Sequence, residues 1–132
     1  MMRNWSLEHC WRGVYYADYV KNNLNSPSGT VFEQSISVYP AQNITLIVPD
    51  TVNLVKIWVA RDTYNRSAEE VSLPTIGDYS SALQISDKSD NSHEYIIAFV
   101  KYDVYEELYT NGTATDFETL RQLAGIAAAK IR

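Results

Sequence analysis

From Ala98 onward the chain alternates. Even positions read Ala98, Val100, Tyr102, Val104, Glu106 and Leu108, and odd positions read Ile97, Phe99, Lys101, Asp103, Tyr105, Glu107 and Tyr109. Beyond residue 100 one parity is mostly apolar and the other mostly polar, which is the period of a strand with one wet face. The first half, Tyr95-Ile-Ile-Ala-Phe-Val100, is apolar on both parities and predicts cover on both sides. The pattern predicts one long strand that turns at Asn111-Gly112, residues that tolerate positive φ. Tyrosine suits such a strand, because its ring covers half-buried surface while its hydroxyl reaches water.

A helix follows. Thr115 and Glu118 have capping-box spacing, and Asp116 is well placed against the helix dipole. Phe117, Leu120, Leu123, Ala124, Ala127 and Ile131 mark one face. Small alanines on that face predict close packing on a sheet. Upstream, residues 13–20 and 30–40 read as two strands. The turn-rich segment between them makes a hairpin of the pair, although Trp5, Leu7, Trp11, Val14 and Tyr15 also sit near helical spacing.

Residues 51–62 fit a helix through Val52, Val55 and Val59 or a strand through Val55, Ile57 and Val59; Pro49-Asp50, with Asp50 as a cap, offers a start signal for the helix. Ser67 and Glu70 form a second, smaller capping-box pattern. Residues 79–85 read as a strand and 86–93 as a polar loop leading into the long one. Together these elements predict a single α+β domain over 1–132. Its antiparallel sheet has about five strands, and the C-terminal helix packs on one face.

Composition narrows the function classes. At 132 residues with 45% hydrophobic side chains, the chain can bury a core without metal or disulfide staples. Its formal net charge is −5, and eleven Lys and Arg are spread thinly. Nucleic acid and anionic membrane surfaces therefore lack electrostatic footing. No apolar run is long enough to span a bilayer. Four Asn-x-Ser/Thr sequons, at Asn4, Asn43, Asn65 and Asn111, would accept glycans in a secreted protein.

Candidate chemistry is sparse. Cys10 is the only cysteine, and His9 and His93 are the only histidines. Adjacent His9 and Cys10 point apart, so a catalytic Cys10 would need His93 brought in by the fold. Asp103, Glu106, Glu107 and Asp116 form a carboxylate set that could do acid–base work or hold a hard cation if it gathered at one end of the strand. Residues 87–94 have the composition of a calcium loop without its glycine or ligand spacing. Glycine-rich phosphate loops are missing, so no cofactor is expected. Trp11, Tyr15, Tyr19, Tyr105 and Tyr109 form the candidate aromatic binding surface.

One arrangement is familiar. Residues 74–83, a polar gap, residues 94–108, an Asn-Gly turn and residues 120–131 together resemble the ending of uncharacterised extracytoplasmic, lipoprotein-like archaeal and bacterial proteins. Gly77, Asp78, Ser80, Ala82, Ile97, Phe99, Lys101, Leu123, Ala124, Lys130 and Ile131 carry the resemblance, over about the last 60 residues. It implies an antiparallel α+β domain facing outside the cytoplasm, akin to the Mog1/PsbP-like fold, and it brings no catalytic residues.

The expected function is a non-enzymatic binding or interaction module of an exported or cell-surface protein whose leader is absent from this sequence. Its ligand would be a protein or a small molecule, and a homodimer is open. One alternative is a small hydrolase or metal-dependent enzyme using Cys10 and His93 or the 103–116 carboxylates. Another is a cytoplasmic immunity protein that meets a basic toxin with acidic charge.

Overall fold

The computed structural model describes residues 14–21, 30–39, 44–61 and 65–132, the first segment by its backbone alone. The elements run β1 (Val14–Lys21), β2 (Thr30–Val38), α1 (Ile44–Ala60), β3 (Arg66–Val71), β4 (Tyr79–Asp87), β5 (His93–Lys101), β6 (Val104–Thr110) and α2 (Ala114–Lys130). All strands join one antiparallel sheet in the order β1-β2-β6-β5-β4-β3. The class is α+β, with the C-terminal helix on one face as expected. A second helix covers the other face, and among the described residues the sheet has six strands, in keeping with the expected count of about five. Residues 14–21 pair with 30–37 as a hairpin, so their helical alternative does not hold.

The long strand is in fact two. Lys101 pairs with Val104, so the chain reverses at Tyr102-Asp103 and becomes the β5–β6 hairpin. No glycine or asparagine signals the turn, and Tyr102 takes the left-handed conformation at φ 57, unusual for a bulky residue. Neighbouring chain holds it there. The Asp78 carboxylate accepts the Tyr102 N–H at 2.9 Å, and the Asp78 N–H donates to the Val100 carbonyl at 2.7 Å. Gly77 precedes this clamp at φ +63, and a Cβ on it would lie 2.4 Å from the Val100 oxygen. Only glycine combines that dihedral with that approach.

The reversal also flips parity. Ile97 and Phe99 of β5 share a face with Leu108 of β6, while Ala98 and Val100 share the other with Tyr105. Both faces of the central strands are covered, so the wet face predicted for residues beyond 100 does not exist; Tyr105 is 5% exposed.

α1 crosses one face from the β6 side toward β3. Ile44, Ile47 and Val48 pack on Ala98, Val100 and Tyr105, and Val52 and Val59 pack on Leu83, Ile85 and Ile96. The helix predicted over 51–62 is present but begins earlier, and Pro49 lies inside it rather than marking its start. Apolar contact along the sheet outweighs the one hydrogen bond that proline removes. Ser67 and Glu70 lie in β3, not at a helix start, because pairing with β4 gives that backbone its partners.

α2 covers the opposite face. Leu120, Ala124 and Ala128 pack with Phe32, Ala82, Ile97, Phe99 and Leu108, and the Phe117 ring stacks on Tyr95 at 4.8 Å. The N-cap is Thr113 rather than Thr115. The Asp116 carboxylate accepts the Thr113 N–H at 2.8 Å while Thr113 Oγ1 accepts the Asp116 N–H at 3.4 Å. This is the reciprocal box, formed two residues before the predicted one. At the other end Lys101 Nζ donates to the Ala128 carbonyl at 2.8 Å, satisfying a terminal acceptor.

Candidate functional site

α1 is apolar on two sides. Its inner stripe recurs at three- and four-residue steps and meets the sheet, as its residue spacing requires. Its outer side carries Leu46, Leu54, Ile57 and Trp58, which are 56%, 39%, 49% and 66% exposed. Asp50 and Lys56 are the only charges in the helix, and Arg61 follows it on the outer side. A helix that buries one side usually turns polar residues to water on the other; here four large apolar side chains share that side with Asp50 and Asn53. Leu54, Ile57 and Trp58 lie together near the C-terminal end, and Leu46 stands about 12 Å away along the helix axis, with Asp50 and Asn53 between them.

A second apolar concavity lies beside α2. A groove of about 400 Å³ runs between α2 and β2, lined by Phe32, Leu108, Leu120, Leu123, Ile126 and Ala127 with Glu33, Gln34 and Lys130 at its margin. Leu123 and Ile126 are exposed there at 40% and 54%. It resembles the α1 surface in chemistry but is shorter.

The polar cleft is different. About 330 Å³ opens at the β4–β5 turn end of the sheet, where Arg66, Asp87, Glu94 and Tyr109 converge. Its groups answer one another. Arg66 Nη1 donates to one Glu94 oxygen at 3.2 Å and the Tyr109 hydroxyl donates to the other at 2.6 Å. Burial, reinforced by the Glu94 carboxylate, raises the Tyr109 pKa well above its ordinary value, so the phenol stays protonated. With its carboxylate held in this way, the cluster reads as structure.

The remaining titratable groups are dispersed. Glu106 and Glu107 project to opposite faces of β6. Glu106 accepts from Gln34 Nε2 at 2.8 Å, and burial raises its pKa. Glu107 accepts from the Tyr105 hydroxyl at 2.8 Å, that hydroxyl meets Thr51 Oγ1 of α1 at 2.9 Å, and burial again raises the carboxyl. Asp103 sits in the β5–β6 turn and Asp116 caps α2, at opposite ends of β6. The 103–116 carboxylates therefore do not gather. His93 meets Ser86 and Gln84 through Nδ1, at 3.1 and 3.0 Å. Cys10, His9 and Trp11 lie outside the described residues. Among the described residues no group of three or more His, Cys, Asp or Glu could hold a metal ion. Nor is any helix there long and apolar enough to cross a membrane.

The aromatic candidates divide. Tyr105 is buried under α1, edge-on to Tyr39 with ring centres 6.3 Å apart, and Tyr109 is half-buried on the same face. Tyr15 and Tyr19 stand in β1 at the register of Ile36 and Phe32. Those β2 positions pair with Glu106 and Thr110, which alternate with Tyr105 and Tyr109 along β6. The sequence reading missed Leu46, Leu54, Ile57 and Trp58. The available signal was the apolar character of the whole 44–60 segment, obscured by Pro49.

No protein-family model, curated protein or solved structure matches the chain.

Proposed function

We propose that the chain is a non-enzymatic protein-interaction module and that the outer side of α1 is its contact surface. The observation that carries this reading is the set of Leu46, Leu54, Ile57 and Trp58 standing in water on a helix whose other side already fills the core. Exposed apolar side chains grouped as Leu54, Ile57 and Trp58 are mark contact sites on a folded protein, and tryptophan is enriched among residues that carry binding energy. The dispersion of the 103–116 carboxylates also favours binding over catalysis. Export or display at the cell surface belongs to the same proposal, supported by the four sequons and by the likeness of the last 60 residues to extracytoplasmic proteins.

The test is a photo-crosslinking residue at position 54 or 58, with the exposed Glu69 position of β3 as control. Adducts at the helix positions and none at the control are expected in the source cell. Equal labelling at all three positions, or none at any, would remove α1 from the reading.

A further inference from the structure

One side chain closes the end of the β2–β6 pairing. The register stops at Phe32 opposite Thr110, and Asn111 carries it one position further, because its Oδ1 accepts the Val31 N–H at 2.8 Å. The next peptide is held as well. The Gly112 N–H donates at 3.1 Å to Oγ1 of the fully buried Thr110. Gly112 then leads into the Thr113 cap of α2, and a Cβ on it would lie 2.4 Å from Asp116 Oδ2. β2, β6 and α2 therefore meet at two consecutive residues, with the carboxamide of one and the N–H of the other both engaged.

That pair is also reactive, and it is the only Asn-Gly in the sequence. In such a pair the glycine nitrogen can attack Cγ of the asparagine. The N–Cγ bond forms, the Cγ–Nδ2 bond breaks, and ammonia leaves with the proton the nitrogen gave up. Water then opens the cyclic imide at either carbonyl, giving aspartate or isoaspartate. Glycine favours the attack because its backbone turns freely and no side chain obstructs the ring.

We propose that Asn111 is a deamidation site guarded by the fold, and that its conversion is a one-way change that loosens β2 and α2 from the end of β6. Attack needs the Gly112 nitrogen free of its proton and the Asn111 carboxamide turned toward it. The Thr110 oxygen holds the proton in place, and the bond to Val31 holds the carboxamide toward β2. The reaction thus waits on local opening of this corner, and its rate follows the open fraction. Reclosing afterwards is obstructed. Isoaspartate routes the main chain through the former side chain and adds a methylene ahead of Gly112, where the close approach of Asp116 leaves no room. Either product also adds a carboxylate to the turn that the buried Asp116 carboxylate already caps, and like charges at short range oppose each other.

Peptide mapping by mass spectrometry tests this by following the Asn111 amide during incubation at mildly alkaline pH. The chain is used without glycan, since a sugar on Nδ2 changes the group that must leave. Conversion in the intact chain should be at least about tenfold slower than in a free peptide of residues 109–117. Sub-denaturing urea should raise the rate toward that of the peptide. Thr110→Val, which keeps the threonine shape without the guarding oxygen, should do the same. The isolated isoaspartate form should melt below the unmodified chain.

An intact chain that converts as fast as the peptide overturns the proposal, and so does a folded Thr110→Val chain that converts at the wild-type rate. A rate insensitive to urea overturns it too, an arm that stands even where Thr110→Val does not fold. An isoaspartate form that melts with the unmodified chain overturns the one-way change and the proposal with it.

Discussion

Replacing Gly77 by alanine tests whether the clamp on the β5–β6 hairpin is what holds a tyrosine in a left-handed turn. The new Cβ would sit 2.4 Å from the Val100 oxygen, against an ordinary contact that begins near 3.4 Å, so the two backbones must part by about an ångström. Alanine at φ +63 costs about 1 kcal/mol by itself. Parting the strands weakens the 2.7 Å bond from the Asp78 N–H to Val100 and the 2.9 Å bond from the Tyr102 N–H to Asp78, worth about 1 kcal/mol each. The sum is about 3 kcal/mol, or a fall in melting temperature of roughly 10 °C for a chain of this size. Gly125→Ala is the matched control. It lies in α2 with nothing within 4 Å of the built Cβ, so removing a helical glycine should stabilise by about 0.5–1 kcal/mol. Urea unfolding followed by circular dichroism measures both. If Gly77→Ala falls within about 0.5 kcal/mol of wild type, the clamp is not what fixes the hairpin.

Other substitutions probe separate links. Burial raises Glu106 above the ordinary carboxyl range, so the folded chain holds a proton that the unfolded chain has released. Stability should therefore fall as pH rises from the ordinary glutamate value through the raised one. Glu106→Gln, which still accepts from Gln34, should make that slope shallower, leaving the share of the raised Glu107 carboxyl, and should exceed wild type at neutral pH; a variant slope equal to that of wild type refutes this. Leu120→Ala opens a void under α2 at a residue 0% exposed and should cost about 2–5 kcal/mol by urea unfolding. Thr113→Ala removes the N-cap of α2 and should cost about 1 kcal/mol; a loss as large as that of Leu120→Ala would mean the cap does more than satisfy two donors.

Legibility followed the kind of signal available. The C-terminal helix and β4 could be read because Leu120 and Ala124 keep helical period and Gly77-Asp78 punctuates the entry to the strand. The β5–β6 reversal could not, because its turn is held from a distance by Asp78, and the position that needs a positive φ is a tyrosine, which leaves Asp103 alone as a turn residue. Pro49 hid the first turns of α1: a local rule ended the helix where tertiary burial of Ile44, Ile47 and Val48 continues it. At the candidate site the apolar residues of 51–62 are readable, but helical spacing through Val52, Val55 and Val59 marks only the inner stripe. Leu54, Ile57 and Trp58 become visible as a surplus only once the sheet has claimed Val52 and Val59. The aromatic pattern misled for a related reason, since parity cannot say that a helix lies over Tyr105.

The strand order carries a consequence for biosynthesis. β6 stands between β2 and β5, yet it is the last strand to leave the ribosome. The hairpin made first can bond laterally only to that final strand, so at about 5–20 residues per second one edge of β2 stays open for several seconds of translation. A nascent chain arrested before Val104 would present that edge to other chains, which makes the synthesis of β6 itself the step that joins the two parts of the sheet.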